Sequence, residues 1–147
     1  MQPEREIENL IYRYAELIDA GDLEAVAALF THASIVAPDG SQCRGYDAVL
    51  AMYRDATRIY PDSATPCTQH LTSNLLIEVD EDRASADSRF TVFQALPDFP
   101  LQAIIAGRYR DRFERVAGCW RFAQREIQPQ LFGDLSRHLL FDADRIK

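Results

Sequence analysis

A chain of 147 residues with 47% apolar and 27% charged side chains has the size and balance of one globular domain, able to bury a single core and one enclosed pocket. Its net charge of −7 and lack of any Lys/Arg cluster exclude binding that depends on neutralising several phosphates, so no nucleic-acid partner is expected. No stretch approaches the roughly 20 apolar residues of a membrane span, and the polar N-terminus Met1-Gln-Pro-Glu-Arg-Glu6 is unlike an export signal, so no membrane partner is expected and the expected location is the cytoplasm.

In chain order, Ile7, Leu10, Ile11, Tyr14, Leu17 and Ile18 fall at three- and four-residue steps and predict a helix from about residue 4 to Ala20. Gly21 stops it and Asp22 caps a second helix carrying Leu23, Val26, Leu29 and Phe30 on one face. Ser34 to Ala37 reads as a short strand, Pro38-Asp-Gly-Ser41 as a turn, and Tyr46 to Ile59 as a third helix, followed by a loop between Pro61 and Pro66. From Cys67 the pattern becomes long alternating segments. Thr68 to Asn74 is polar-lined, Leu75 to Val79 leads to a hairpin at Asp80-Glu-Asp82, and Ala84 to Leu96, Leu101 to Arg115 and Cys119 to Gln128 follow as strands.

Helices followed by an antiparallel meander predict an α+β fold: a cone-shaped barrel in which three N-terminal helices pack on a strongly curved sheet and enclose a pocket. Residues 1–128 make the cone domain. Residues 129–147 are a C-terminal extension of it, with some helix around Leu135 to Leu140. Cys43, Cys67 and Cys119 are odd in number, lack metal-ligand spacing and read as reduced thiols. His32, His70 and His138 are far apart without a ligand motif, so no metal site is expected, and His32 and His138 read as exposed or loop residues.

Two residues suggest proton-transfer chemistry. Asp19 ends the first helix, and His70 lies on the polar-lined strand, sharing a face with Thr72 and Asn74. An Asp that orients a His makes that His a general base near neutral pH. The plain alternatives are a helix-corner role for Asp19 and a structural role for His70.

These residues carry a family resemblance over most of the chain. Tyr14-Ala-Glu-Leu-Ile-Asp19-Ala-Gly-Asp22, Leu29-Phe30-Thr31, His70 with Asn74, Gly107-Arg-Tyr109-Arg-Asp111 and Gly118-Cys-Trp120-Arg-Phe122 together resemble the SnoaL-like branch of the nuclear-transport-factor-like superfamily. Within that branch the pattern is similar to the Asp–His dyad dehydratases and dehydrochlorinases, the group of scytalone dehydratase, bile-acid 7α-dehydratase and lindane dehydrochlorinase. The resemblance implies a dyad of Asp19 and His70, an Arg at position 125, five residues after Trp120, and a Tyr at position 14, five residues before the Asp. The implied activity is cofactor-independent dehydration of an apolar hydroxylated substrate, steroid-like or aromatic/polyketide. His70 would take the carbon proton, while Tyr14 and Arg125 would bind the oxygen where charge builds.

Tyr14 also fits a core aromatic, and Arg125 a surface ion pair with Glu126 or another acid. Candidate substrate-binding residues are Phe30, Val49, Met52, Tyr53, Asn74, Phe90, Val92, Leu101 and Ile105. Asn74, Tyr109 and Asp111 read more naturally as structural, and Trp120 as core. A homodimer or homotrimer is expected, formed through an outer sheet face carrying Phe113 and Phe122. Two other classes share this fold: a non-catalytic carrier or subunit resembling the small subunit of ring-hydroxylating dioxygenases, and an enzyme of another reaction, such as a ketosteroid-type isomerase or an epoxide hydrolase with an Asp-Arg-Asp set.

Overall fold

The apolar stripe at the N-terminus folds as α1 (Pro3–Asp19), with Ile7, Ile11, Tyr14 and Ile18 buried along one face, in a computed structural model that describes Met1 to Lys147. Gly21 closes this helix. At φ +74° its N–H bonds the Ile18 carbonyl while that of Asp22 bonds Leu17, which satisfies carbonyls the last turn would otherwise leave free. A side chain at position 21 would meet the Ala64 carbonyl oxygen at 2.3 Å, so the corner admits only glycine. Asp22 then caps α2 (Leu23–Ala28) by accepting the Ala25 N–H.

Two short strands, β1 (Ser34–Val36) and β2 (Gln42–Arg44), lead into α3 (Gly45–Ala56). The periodicity suggested helix as far as Ile59. Thr57 instead turns extended and pairs with Leu139 from the C-terminal segment, so a tertiary contact ends the helix three residues early. The remaining strands, β3 (Thr68–Asp80), β4 (Arg83–Leu96), β5 (Phe99–Val116) and β6 (Cys119–Phe132), form an antiparallel meander. β1 adds to β6 in parallel, giving a mixed curled sheet of six strands in the order β2-β1-β6-β5-β4-β3, with the three helices packed on it. This is the expected α+β cone.

Two bulges decide which side chains face inward. On β3, Ser73 pairs with Arg89 but Leu76 with Asp87, so Asn74 and Leu75 together oppose Ser88. Asn74 takes φ +56° there, and the inward set changes from His70 and Thr72 to Leu75, Ile77 and Val79. On β5, Val92 pairs with Ile105 but Phe93 with Ala103, which makes Ile104 the extra residue and puts Leu101 and Ile105 on opposite faces.

Phe113 and Phe122 are not on an outer face. They are buried in the core, where Phe122 stacks between Phe30 and Phe113 with centroids 4.8 and 4.7 Å apart. The expected helix at Leu135 to Leu140 is absent: this segment makes a turn, bridges to Thr57, and is followed by a short 3-10 helix, Ala143–Ile146. No helix is long and apolar enough to cross a membrane.

Candidate active site

Asp19 occupies the last turn of α1, where an acidic side chain is opposed by the partial negative charge of the helix C-terminus. Three donors from the start of β3 compensate. The carboxylate accepts the Thr68 hydroxyl at 2.9 Å, the His70 backbone N–H at 2.7 Å and the His70 ring Nδ1 at 2.6 Å. An ionised Asp accepts only, so in the neutral ring Nδ1 carries the proton and Nε2 holds the lone pair. Nε2 has no partner within the chain and is not sealed by packing, and His70 lines the internal cavity. The pair inferred from the sequence is therefore a physical contact.

Next to this pair stands a group of phenols. Tyr14 and Tyr53 share a hydrogen bond of 2.7 Å between their hydroxyls, and the Tyr14 ring lies edge-on to His70 and Tyr109 at 6.4 and 5.9 Å. Burial raises the pKa of Tyr14, with the Arg125 charge opposing, and pushes Tyr53 and Tyr109 well above the ordinary phenol value. All three keep their protons at neutral pH. One of Tyr14 and Tyr53 spends its proton on their shared bond, and a hydroxyl left free can donate to an oxygen on which negative charge develops.

Arg125 supports this group from behind and does not contact the cavity. It is fully buried on β6, clamped by Asp111 of β5 through Nε–Oδ1 and Nη2–Oδ2 bonds of 2.7 and 2.9 Å, because the register sets these residues opposite each other. Its guanidinium centre lies 3.7 Å from the Tyr109 ring centroid and 4.4 Å from that of Tyr14. Burial works most strongly against its charge, but the Asp111 carboxylate and its hydrogen bonds, aided by Tyr109 and Tyr14, together raise the Arg125 pKa; burial in turn raises that of Asp111, with Arg125 opposing. The expected direct contact of Arg125 with substrate is corrected: the side chain is fully buried, does not line the cavity, and pairs with Asp111 and not with Glu126.

The cavity has a volume of about 620 Å³ and a mostly apolar wall. Of the residues proposed from the sequence, Tyr14, Met52, Tyr53, His70, Phe90, Val92 and Ile105 line it. Phe30 and Val49 do not, being packed in the core instead. Asn74 is exposed at its bulge and Leu101 is 73% exposed, both turned outward by the extra residues on β3 and β5. Tyr109, read as structural, lines the cavity and stacks on Phe90 at 4.6 Å.

The sequence reading missed His138. It lies in the C-terminal segment, lines the cavity, and has a sealed Nδ1 without a partner. Burial lowers its pKa to about 4, with His70 adding to the fall and Asp19 opposing it. Only the return of the C-terminal segment to α3 brings it there. No group of three or more His, Cys, Asp or Glu side chains converges as metal ligands do.

Residues 1–126 match the SnoaL-like domain, and the chain belongs to that family. Among solved structures, a protein of unknown function from Mycobacterium tuberculosis is 31% identical, with a TM-score of 0.68 over 85% of this chain and 74% of that one. A candidate scytalone dehydratase from Novosphingobium aromaticivorans is 25% identical, with a TM-score of 0.70 over 89% of this chain and 86% of that one. An NTF2-like protein with a cystatin-like fold from Novosphingobium aromaticivorans, 24% identical with a TM-score of 0.71 over 84% of this chain and 79% of that one, is similar in fold. No curated protein is significantly similar in sequence.

Proposed function

We propose that this protein is a cofactor-independent lyase that removes water across a C–C bond of an apolar hydroxylated substrate, steroid-like or aromatic/polyketide in class. The observation that carries this reading is the 2.6 Å contact of Asp19 with His70 Nδ1, which leaves Nε2 as an unpartnered lone pair at an apolar cavity. Nε2 takes a proton from carbon, the freed electron pair becomes the new double bond, and the hydroxyl leaves with the proton returned by the imidazolium. Asp19 and the adjacent end of α1 stabilise the transient imidazolium. Tyr14 polarises the substrate oxygen, with its own oxygen accepting from Tyr53 and the Arg125 charge behind its ring. Similarity to a candidate scytalone dehydratase supports the same reaction class.

The test is a panel of hydroxylated steroids and hydroxylated aromatic ketones, with the absorbance of the conjugated product as readout. At least one compound is expected to be dehydrated by the wild type and not by His70→Gln. Equal turnover by the two proteins overturns the reading.

A homo-oligomer formed through the outer sheet face stays part of this proposal, supported by Leu71, Leu76, Leu101 and Leu131, which are 49% to 73% exposed. Light scattering on the eluting protein reads its mass; a monomer at micromolar concentration removes this part.

A further inference from the structure

We propose that His138 is a second substrate-contacting residue, donating a hydrogen bond from Nε2–H to the departing hydroxyl of the substrate; this rests on the elimination reading of the same cavity. The two histidines of the cavity are built differently. His70 has its Nδ1 committed to Asp19 and shows the cavity a lone pair. His138 has a sealed Nδ1 with nothing to bond, whereas its Nε2 is not sealed. A buried N–H without an acceptor is rarer in proteins than a buried acceptor without a donor. The proton of a neutral His138 therefore belongs on Nε2, where it can be used. One imidazole then offers a lone pair and the other an N–H, the complementary pair that elimination needs at its carbon proton and its leaving oxygen.

The surroundings of His138 hold it in place as a site residue is held. Its backbone carbonyl accepts the Arg58 N–H at 2.9 Å, its own N–H donates to Leu135, and the Leu140 N–H donates to Ala56 at 3.0 Å. On the preceding residue, the Arg137 carbonyl accepts from Gln94 Nε2 at 3.1 Å and from the Tyr60 hydroxyl. The segment is thereby tied to the end of α3 and to β4. The charged and titratable groups acting on the ring are His70, which disfavours its protonation, and Asp19, which favours it; burial is the larger influence and keeps the ring neutral at pH 7. A neutral ring leaves the proton transfer to His70 and acts only as a donor.

Two measurements test the assignment. In protein labelled with 15N-histidine, long-range 1H–15N correlation at pH 7 reads the tautomer of each ring. His138 is expected to carry its proton on Nε2 and His70 on Nδ1, and a His138 proton on Nδ1 overturns the proposal even if no variant folds. Binding of 2-decalol compared with decalin, an apolar alcohol and its hydrocarbon, then isolates the hydrogen bond from turnover. Wild type is expected to prefer the alcohol, His138→Phe to lose roughly five-fold of that preference, and His138→Gln, which keeps a donor, to lose less. An unchanged preference in folded His138→Phe overturns the proposal while leaving elimination by His70 intact. Elimination fails separately, if His70→Gln turns over the panel as the wild type does.

Discussion

Two acid–base pairs are held equally closely in this molecule and differ in everything else. Asp19 meets His70 at 2.6 Å and Asp111 meets Arg125 at 2.7 Å. The side chains of the first pair keep 21% and 8% of their surface, whereas both members of the second are 0% exposed. Asp19 uses one ring nitrogen and leaves the other open to a cavity, while Asp111 takes two guanidinium nitrogens and the third is sealed without a partner. Close pairing therefore does not mark a reacting group. What singles out the first pair as a candidate is a functional atom left over after pairing, on a residue that lines a space a ligand can enter. The sealed pair does something different: it keeps a fixed charge against the faces of Tyr14 and Tyr109.

The largest effect separates the pairs outright. His70→Gln is expected to lose roughly 10²- to 10⁴-fold in turnover but only about 1 kcal/mol of stability, since Nε2 makes no bond within the chain and the Gln amide can replace Nδ1 as donor to Asp19. Asp111→Ala is expected to do the reverse, costing about 3–5 kcal/mol of stability by leaving Arg125 charged and unpaired in the core. Urea titration checks it, and the double replacement Asp111→Leu with Arg125→Met should recover most of the loss. A stable Asp111→Ala protein would break the comparison.

Next in size is a pH effect at His138. Its folded pKa of about 4 lies below the ordinary 6.5, so the unfolded chain takes up its proton first as pH falls. The stability is fully present above pH 6.5 and is lost progressively toward pH 4, by up to about 3 kcal/mol. Thermal unfolding over that range should show a smaller decline in His138→Gln than in the wild type. The smallest effect is at the phenols: Tyr53→Phe removes one partner of the 2.7 Å bond to Tyr14 and should cost about 1 kcal/mol by urea unfolding.

Much of this arrangement was legible in the chain. The stripe from Ile7 to Ile18, the Gly21-Asp22 corner and the meander after Cys67 predict the cone, because helix and strand periods and turn chemistry are local properties. The contact of Asp19 with His70 was legible for another reason: an Asp can orient a His, and the pair matches the Asp and His of the dyad enzymes that the chain resembles. The errors follow from non-local causes. Unbroken alternation puts Asn74 and Leu101 inward, whereas the bulges insert one residue each and reverse the faces. The same period-two pattern identifies two faces without saying which of them the helices cover, and Phe113 and Phe122 lie on the covered one.

By itself the sequence determined the order of elements, the inward stripe of α1, and the identity of the two residues whose chemistry is least explained by packing. Only the tertiary structure decided that Asp111 faces Arg125 across the β5–β6 register, that Arg125 acts from behind Tyr14 and Tyr109, and that His138 reaches the cavity. The reason is distance along the chain. A period or a cap is written within a few residues, whereas Arg125 is 14 positions from Asp111 and the Arg58 N–H bonds the carbonyl of a residue far downstream, His138. Such contacts are selected by how the sheet curls and where its ends return, and a linear pattern does not encode them.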